Sequence, residues 1–276
     1  NATRYYYEWD DSTPNDGPIT GTSVSVSAPS GNGNHTFYVR GWNPDSGYGS
    51  SSALTVFIDR NRPSISNVDL RNTDDTGQSS TDEITRDTDV RFTWNGNTNG
   101  GSGIRKYWYG WSTSANDAST SNSYADISPP SNNGTYTFYV GAEAISGLWA
   151  YYPDYTDQET VTWDTIAPAP PTFTSPTEWE ETDDTTPTLD WSRITGVWKY
   201  QVYVREDNLP YTDSRESSEL SSSTTQWTVS PSLGIKNWGW QVKAWDVAGN
   251  EGSYGRNGVN GNWGHFAIYE RRLISN

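Results

Sequence analysis

The chain has 276 residues and a formal net charge of −16, with 18 Lys and Arg set against 34 Asp and Glu. That balance argues against a nucleic-acid partner, because neutralising phosphates needs clustered cations. With no cysteine there are no disulfides and no thiolate metal sites, and no apolar run reaches the ~18 residues of a membrane span.

The first predicted element is the Tyr-rich run ATRYYYEW (2–9), a strand by its aromatic content. The turn SGNGN (30–34) then leads into HTFYVRGWN (35–43), and ALTVFID (53–59) returns beside it as a hairpin. After the joint DRNRP (59–63), the acidic stretch NTDDTGQSSTDE (72–83) is similar to a calcium loop but lacks the EF-hand order of ligands, and reads as a long connection. RFTW (91–94), GIRKYWYGW (103–111), the turn SNNG (131–134), YTFYVGAEA (136–144) and ETVTWD (159–164) follow as strands and turns. Beyond the joint DTIAPAPP (164–171) come TLDW (188–191), VWKYQVYV (197–204), the turn SLGIKN (232–237), WGWQVKAWD (238–246) and GHFAIYE (264–270). No segment carries a convincing helical period of apolar positions.

One ribbon is spelled three times, with Phe37, Phe138 and Trp240 in register at intervals of roughly a hundred residues, far beyond a solenoid repeat of about 20–50. Tyr5 and Tyr107 keep the same interval upstream, with VWKYQVYV in the corresponding place of the third unit. Length alone suggests about two domains; the repeat raises that to three units, at 1–62, 63–164 and 165–276. Each is expected to be a β-sandwich cored by large rings, Trp94, Trp191, Tyr107, Tyr200, Phe138 and Trp240 among them. The first unit lacks a counterpart of residues 64–103, hence the first two strands of its sandwich. Those strands would lie upstream in a longer protein, or be donated by another subunit in head-to-tail assembly. The tail YERRLISN (269–276) is a short candidate donor. Pro in each joint fixes φ and favours extended neighbours, so the units should be stiffly linked into an elongated rod.

The stretch from 164 to 252, with DTIAPAPP, TPTLDW and AWDVAGNEG, resembles the fibronectin type III-like and Ig-like repeats of bacterial surface proteins. The resemblance implies an all-β chain of tandem Ig/fibronectin III-like β-sandwich domains in an extracellular or cell-surface setting. It implies a structural or adhesive role in a prokaryotic fibre, with neighbouring domains or subunits as partners. The alternative is a non-catalytic carbohydrate-binding or spacer module of a secreted hydrolase, with surface glycans as partners. In similar repeats the joint Asp and an Asp of the closing loop share calcium. Here Asp59 and Asp164 hold the joints, and Asp246, Asn250 and Glu251 the third loop, while Asn43 and Ala144 stand where Asp246 would be. The competing expectation is that these Asp residues cap turns.

No enzyme is expected. His35 and His265 open strands in different units without a nucleophile beside them. The adjacent carboxylates Asp10/Asp11, Asp74/Asp75, Glu180/Glu181 and Asp183/Asp184 read as turn residues, since glycoside hydrolysis needs carboxylates facing across a cleft. Trp149, Trp179, Trp198, Trp238 and Trp263 are expected in loops or at strand edges. There they would pack at joints, stack on sugars or meet a neighbouring subunit. Asn34 and Asn133 match the glycosylation acceptor pattern, as does Asn1. The lack of any Met, initiator included, is expected of a processed chain or fragment.

Overall fold

The computed structural model describes residues 1–130, 133–150, 152–154, 156–208, 210, 212–255 and 263–270. Every helix or strand among them is a strand, and no helix is long and apolar enough to cross a membrane. In chain order the first strands are β1 (Arg4–Trp9), β2 (Asp16–Ile19), β3 (Gly33–Asn43) and β4 (Gly47–Ile58). Next come β5 (Ser64–Leu70), β6 (Ile84–Thr85), β7 (Val90–Asn97), β8 (Ile104–Gly110), β9 (Ala118–Thr120), β10 (Tyr124–Ile127), β11 (Gly134–Ala144) and β12 (Asp157–Trp163). The last are β13 (Phe173–Ser175), β14 (Glu180–Thr182), β15 (Thr188–Trp191), β16 (Val197–Glu206), β17 (Ser214–Glu216), β18 (Leu220–Ser221), β19 (Gln226–Thr228), β20 (Asn237–Asp246) and β21 (Gly264–Ile268). The five sheets run β2-β1-β3-β4, β10-β7-β5, β6-β12-β11-β8-β9, β13-β15-β19 and β14-β21-β20-β16-β17, with β18 also on β16. The three copies of the aromatic ribbon are β3, β11 and β20. The chain is all-β and its sheets pack as sandwiches.

Two compact units divide the chain. The first comprises Asn1–Asp69, Phe92–Ala125 and Thr137–Glu159; the second comprises Leu70–Arg91, Asp126–Tyr136 and Thr160–Asn276.

In the first unit, β1 and β3 are antiparallel, with Tyr5 opposite Gly41, Tyr7 opposite Val39 and Trp9 opposite Phe37. Because side chains alternate across a strand, Tyr5, Tyr7, Trp9, Phe37 and Val39 share one face. β4 brings Leu54 to that face opposite Phe37, and Val56 opposite His35. The same unit contains a facing pair of sheets. Phe92 of β7 stacks on Phe138 of β11 with centroids 4.3 Å apart, and Trp94 meets Tyr107 of β8 edge-on at 5.6 Å. Trp94 and Phe138 are buried as the sequence predicts; Tyr107 is half-buried.

The second unit contains a fuller core. β16 and β20 pair antiparallel from Val197 opposite Asp246 to Glu206 opposite Trp238. Tyr200, Val202, Val204, Trp240 and Val242 pack against Leu189 and Trp191 from the facing sheet, together with Phe266 and Ile268 of β21. Phe173 stacks on Trp240 at 4.1 Å. An indole that buries about 150–250 Å² contributes up to roughly 4–6 kcal/mol at about 25 cal/mol per Å². A few such rings therefore hold a small sandwich whose overall apolar content is only 32%. The buried Tyr200 hydroxyl is satisfied by the Ile194 N–H at 2.9 Å.

Candidate functional site

Asp59 leaves β4 and turns its carboxylate onto the loops that follow. Oδ2 accepts from the Ser102 N–H at 2.9 Å, the Ser102 hydroxyl at 2.6 Å and the Ser146 hydroxyl at 2.8 Å. Oδ1 accepts from the Asn61 N–H at 2.9 Å. The approach requires glycine beside it, since a Cβ on Gly101 would lie 2.8 Å from Asp59 Oδ1. Burial pushes this carboxyl up, but the donors from Ser102, Ser146 and Asn61 outweigh it and hold the pKa at about 2.

Asp164, Asp246 and Asn250 meet in the second unit. The Asn250 side-chain amide donates to the Asp164 carbonyl at 2.6 Å and to Asp246 Oδ2 at 3.0 Å. The Asn250 N–H donates to Asp246 Oδ1 at 2.8 Å. The Asp164 carboxylate caps its own turn through the Ile166 N–H at 3.0 Å. Glu251 points elsewhere and pairs with Lys243. Among the described residues no three His, Cys, Asp or Glu side chains gather as a metal would require.

Each histidine is tied to acid. His35 Nδ1 lies 2.7 Å from Asp10. His265 Nδ1 lies 2.8 Å from Glu178, and its Nε2 lies 3.5 Å from Asp207. Asp74 is buried against Arg71 at 2.6 Å and the Arg91 N–H at 2.8 Å. Asp75 is buried beside it, and burial raises its pKa. Glu180 accepts from Thr177, and Asp184 caps the Thr186 turn. Asn34 is exposed on β3, whereas the Asn133 carbonyl is engaged by the Thr165 hydroxyl at 2.8 Å. Of the tail 269–276, residues 271–276 lie outside the described residues.

The five tryptophans divide. Trp179 is 53% exposed and stacks on His265 at 4.6 Å with the rings 9° from parallel. Trp198 and Trp263 are half-buried under cations, Lys199 at 4.3 Å and Arg205 at 3.8 Å. Trp149 is half-buried beside Trp108. Trp238 corrects the expectation of a loop or edge position: it is fully buried on β20. Near its start that strand is covered on both faces, and the Gly234 carbonyl accepts the indole N–H at 3.0 Å, so the polar tip does not need water.

The sequence reading missed a cavity of about 510 Å³ on the opposite face of β8 and β11 from Tyr107 and Phe138. Trp108, Gly141, Trp149, Tyr152 and Thr156 line it. Its signal was present in the repeat, at the ribbon position three residues past Phe37, Phe138 and Trp240. That position is Arg40, then Gly141, then Lys243.

No known protein family matches this chain, and no curated protein does. Among solved structures it is similar to the FN1-FN3 domains of chicken CNTN1, at 12% identity and a TM-score of 0.40, covering 86% of this chain and 78% of that one. It is also similar to the fibronectin(III)-like modules of Clostridium thermocellum CbhA, at 11% identity and a TM-score of 0.39, covering 70% of this chain and 91% of that one.

Proposed function

We propose that the chain is a non-catalytic structural segment of a prokaryotic extracellular or cell-surface fibre. On this reading its sandwiches span 1–62, 63–164 and 165–276, and the first is completed by strands from a neighbouring segment of the same protein. The observation that supports it is a bare apolar face. Val56 is 40% exposed and Leu54 65%, whereas Phe138, Val140 and Val161, on the matching face of the second copy, are 0% exposed. In that second copy β7 provides the cover, through Phe92 and Trp94.

Over the first sheet the same place is a cleft of about 390 Å³, lined by Tyr5, Tyr7, Phe37 and Val39 and walled by Gly21 to Val24. The stretch TSVSVS (22–27) alternates like a strand, yet Val24 and Val26 remain 36% and 37% exposed. Strands of the β5 and β7 kind fit this gap, pairing with residues 22–27 and placing an aromatic side chain in the cleft. A fold finished by its neighbour suits a fibre. The sequence resemblance supports the extracellular setting.

The test is to fuse a second copy of residues 64–103 ahead of Asn1. Amide exchange in β1 and β3 should slow by about tenfold or more as the face is covered. Unchanged exchange, with the added segment still open to protease, would overturn the reading.

A further inference from the structure

The geometry points to a binding site for a neutral carbohydrate on the outer face of β8 and β11. The inference does not depend on the structural reading above. Its starting point is what the other two copies do with the same position. Arg40 lies over the Tyr48 ring at 3.8 Å, and Lys243 lies over Tyr254 at 4.0 Å while pairing with Glu251. A long cationic side chain thus covers the outer face in both. In the middle copy Gly141 stands there, directly opposite Trp108 in the strand register; the Ala150 carbonyl and Thr156 approach it instead, 3.2 and 3.5 Å from where a Cβ would lie, and form one wall of the space that opens beside them. The resulting cavity, about 510 Å³, is of the size that holds small ligands, about 300–1,000 Å³.

Its walls are held in place before any ligand arrives. The Trp108 and Trp149 rings are 5.2 Å apart and tilted by 33°. Trp108 donates its indole N–H to the buried Glu143 at 3.2 Å. The loop carrying Trp149 is pinned by the Ala144 N–H to the Leu148 carbonyl and the Ala150 N–H to the Ala142 carbonyl, both 2.8 Å. The Arg62 guanidinium also donates to the Trp149 carbonyl at 2.8 Å. Tyr152, 46% exposed, adds a third ring at the mouth. Rings fixed in this way lose little entropy on binding.

The polar groups select the ligand class. Thr156 lines the wall, and its Oγ1 is buried with no hydrogen-bond partner among the described residues. An unpaired buried hydroxyl costs about 1–3 kcal/mol, which a ligand hydroxyl would relieve. Thr113, Ser114 and Asn116 add neutral groups, and among the described residues no charged side chain lines the cavity. Three aromatic rings also suit a quaternary ammonium. Here, however, the Lys106 ammonium already lies 3.9 Å from the Trp108 ring centroid, and its positive charge disfavours a second cation nearby while leaving a neutral ligand unaffected. A pyranose satisfies the whole set, with an apolar C–H face for the indoles and hydroxyls for Thr156 and the rim.

The experiment titrates the whole chain with soluble cello-, xylo-, manno- and chito-hexaose, following tryptophan fluorescence and heat, with tetramethylammonium as a parallel ligand. A saturable signal is expected with at least one oligosaccharide. It should be abolished by Trp149→Ala, which removes one wall of the cavity, and retained in Trp179→Ala. Thr156→Val separates binding from folding: losing the orphan hydroxyl should leave or raise the melting temperature while weakening sugar about fivefold. Three outcomes would each overturn the site: no response to any of the sugars, a response to tetramethylammonium alone, or full affinity in a folded Trp149→Ala or Thr156→Val protein.

Discussion

Asp59 and Asp164 stand in the same sequence device, an Asp that ends a strand shortly before a Pro, yet they are wired in opposite directions. At the first, the loop after the ribbon has Ala144 where the third copy has Asp246, and the joint carboxylate supplies the acceptor itself. Asp59 reaches out to Ser102 and Ser146. At the second, Asp246 supplies the acceptor from inside the loop. Asn250 then crosses to the Asp164 backbone, leaving that carboxylate to cap its own turn. The loop and the joint share one need for a buried acceptor, and a single Asp on either side meets it.

Removing each acceptor in turn tests this exchange. Asp246→Ala should have the largest effect, about 2–4 kcal/mol, because it leaves both nitrogens of the buried Asn250 short of a partner. Denaturant unfolding of the whole chain would show it, and a loss below about 1 kcal/mol would mean that the loop holds by other contacts. Asp59→Ala should cost less, about 1–2 kcal/mol, since its half-buried partners Asn61 and Ser102 and its exposed partner Ser146 can turn to water.

Asp59 also predicts a pH dependence. Its folded pKa of about 2 lies below the 3.8 usual for an aspartate carboxyl. Its contribution is therefore complete above about pH 4 and lost as the pH falls towards about 2. After allowance for solvent screening it amounts to about 1–2 kcal/mol. Asp59→Asn should flatten that part of the acid unfolding curve, and identical curves would remove Asp59 from the account. Ser146→Ala removes one donor from an acceptor that keeps three others, so it should cost only about 0.5–1 kcal/mol. Calcium should do least. With Asp246 and Asn250 turned on each other, added calcium or chelator should leave the melting temperature unchanged. A calcium-dependent rise that vanishes in Asp246→Asn would make this loop a metal site.

Much of this was legible before the structure, for a physical reason. Strand pattern is local, and the ribbons at Phe37, Phe138 and Trp240 carry period-2 aromatic and β-branched residues between turn signals, so β3, β11 and β20 could be read directly. The short parallel edges were not legible. β6 on β12 and β14 on β21 are strands of two and three residues, set by distant pairing more than by their own sequence. Trp238 was misplaced because a turn lies just before it, and sequence does not show that β20 is covered on both sides there. The cavity was missed for the converse reason. Glycine in a strand looks like weakness, and only the fold shows that Gly141 lets Ala150 and Thr156 pack down on the strand where Arg40 and Lys243 stand in the other copies.

One further property follows from the outer edge of the first sheet. β4 closes the order β2-β1-β3-β4, and its ten inner residues from Tyr48 to Phe57 are all exposed. It therefore offers solvent a long row of free amide and carbonyl groups, a template on which another strand can grow. Its two halves differ as templates. The first, GYGSSS, is poor in strand-forming residues, while the second, ALTVFI, is rich in them and carries no charge. At high concentration this second half is where unwanted edge-to-edge aggregation should start. A lysine at Thr55, on the face away from the cleft, would act as a gatekeeper, protecting solubility without touching the aromatic side.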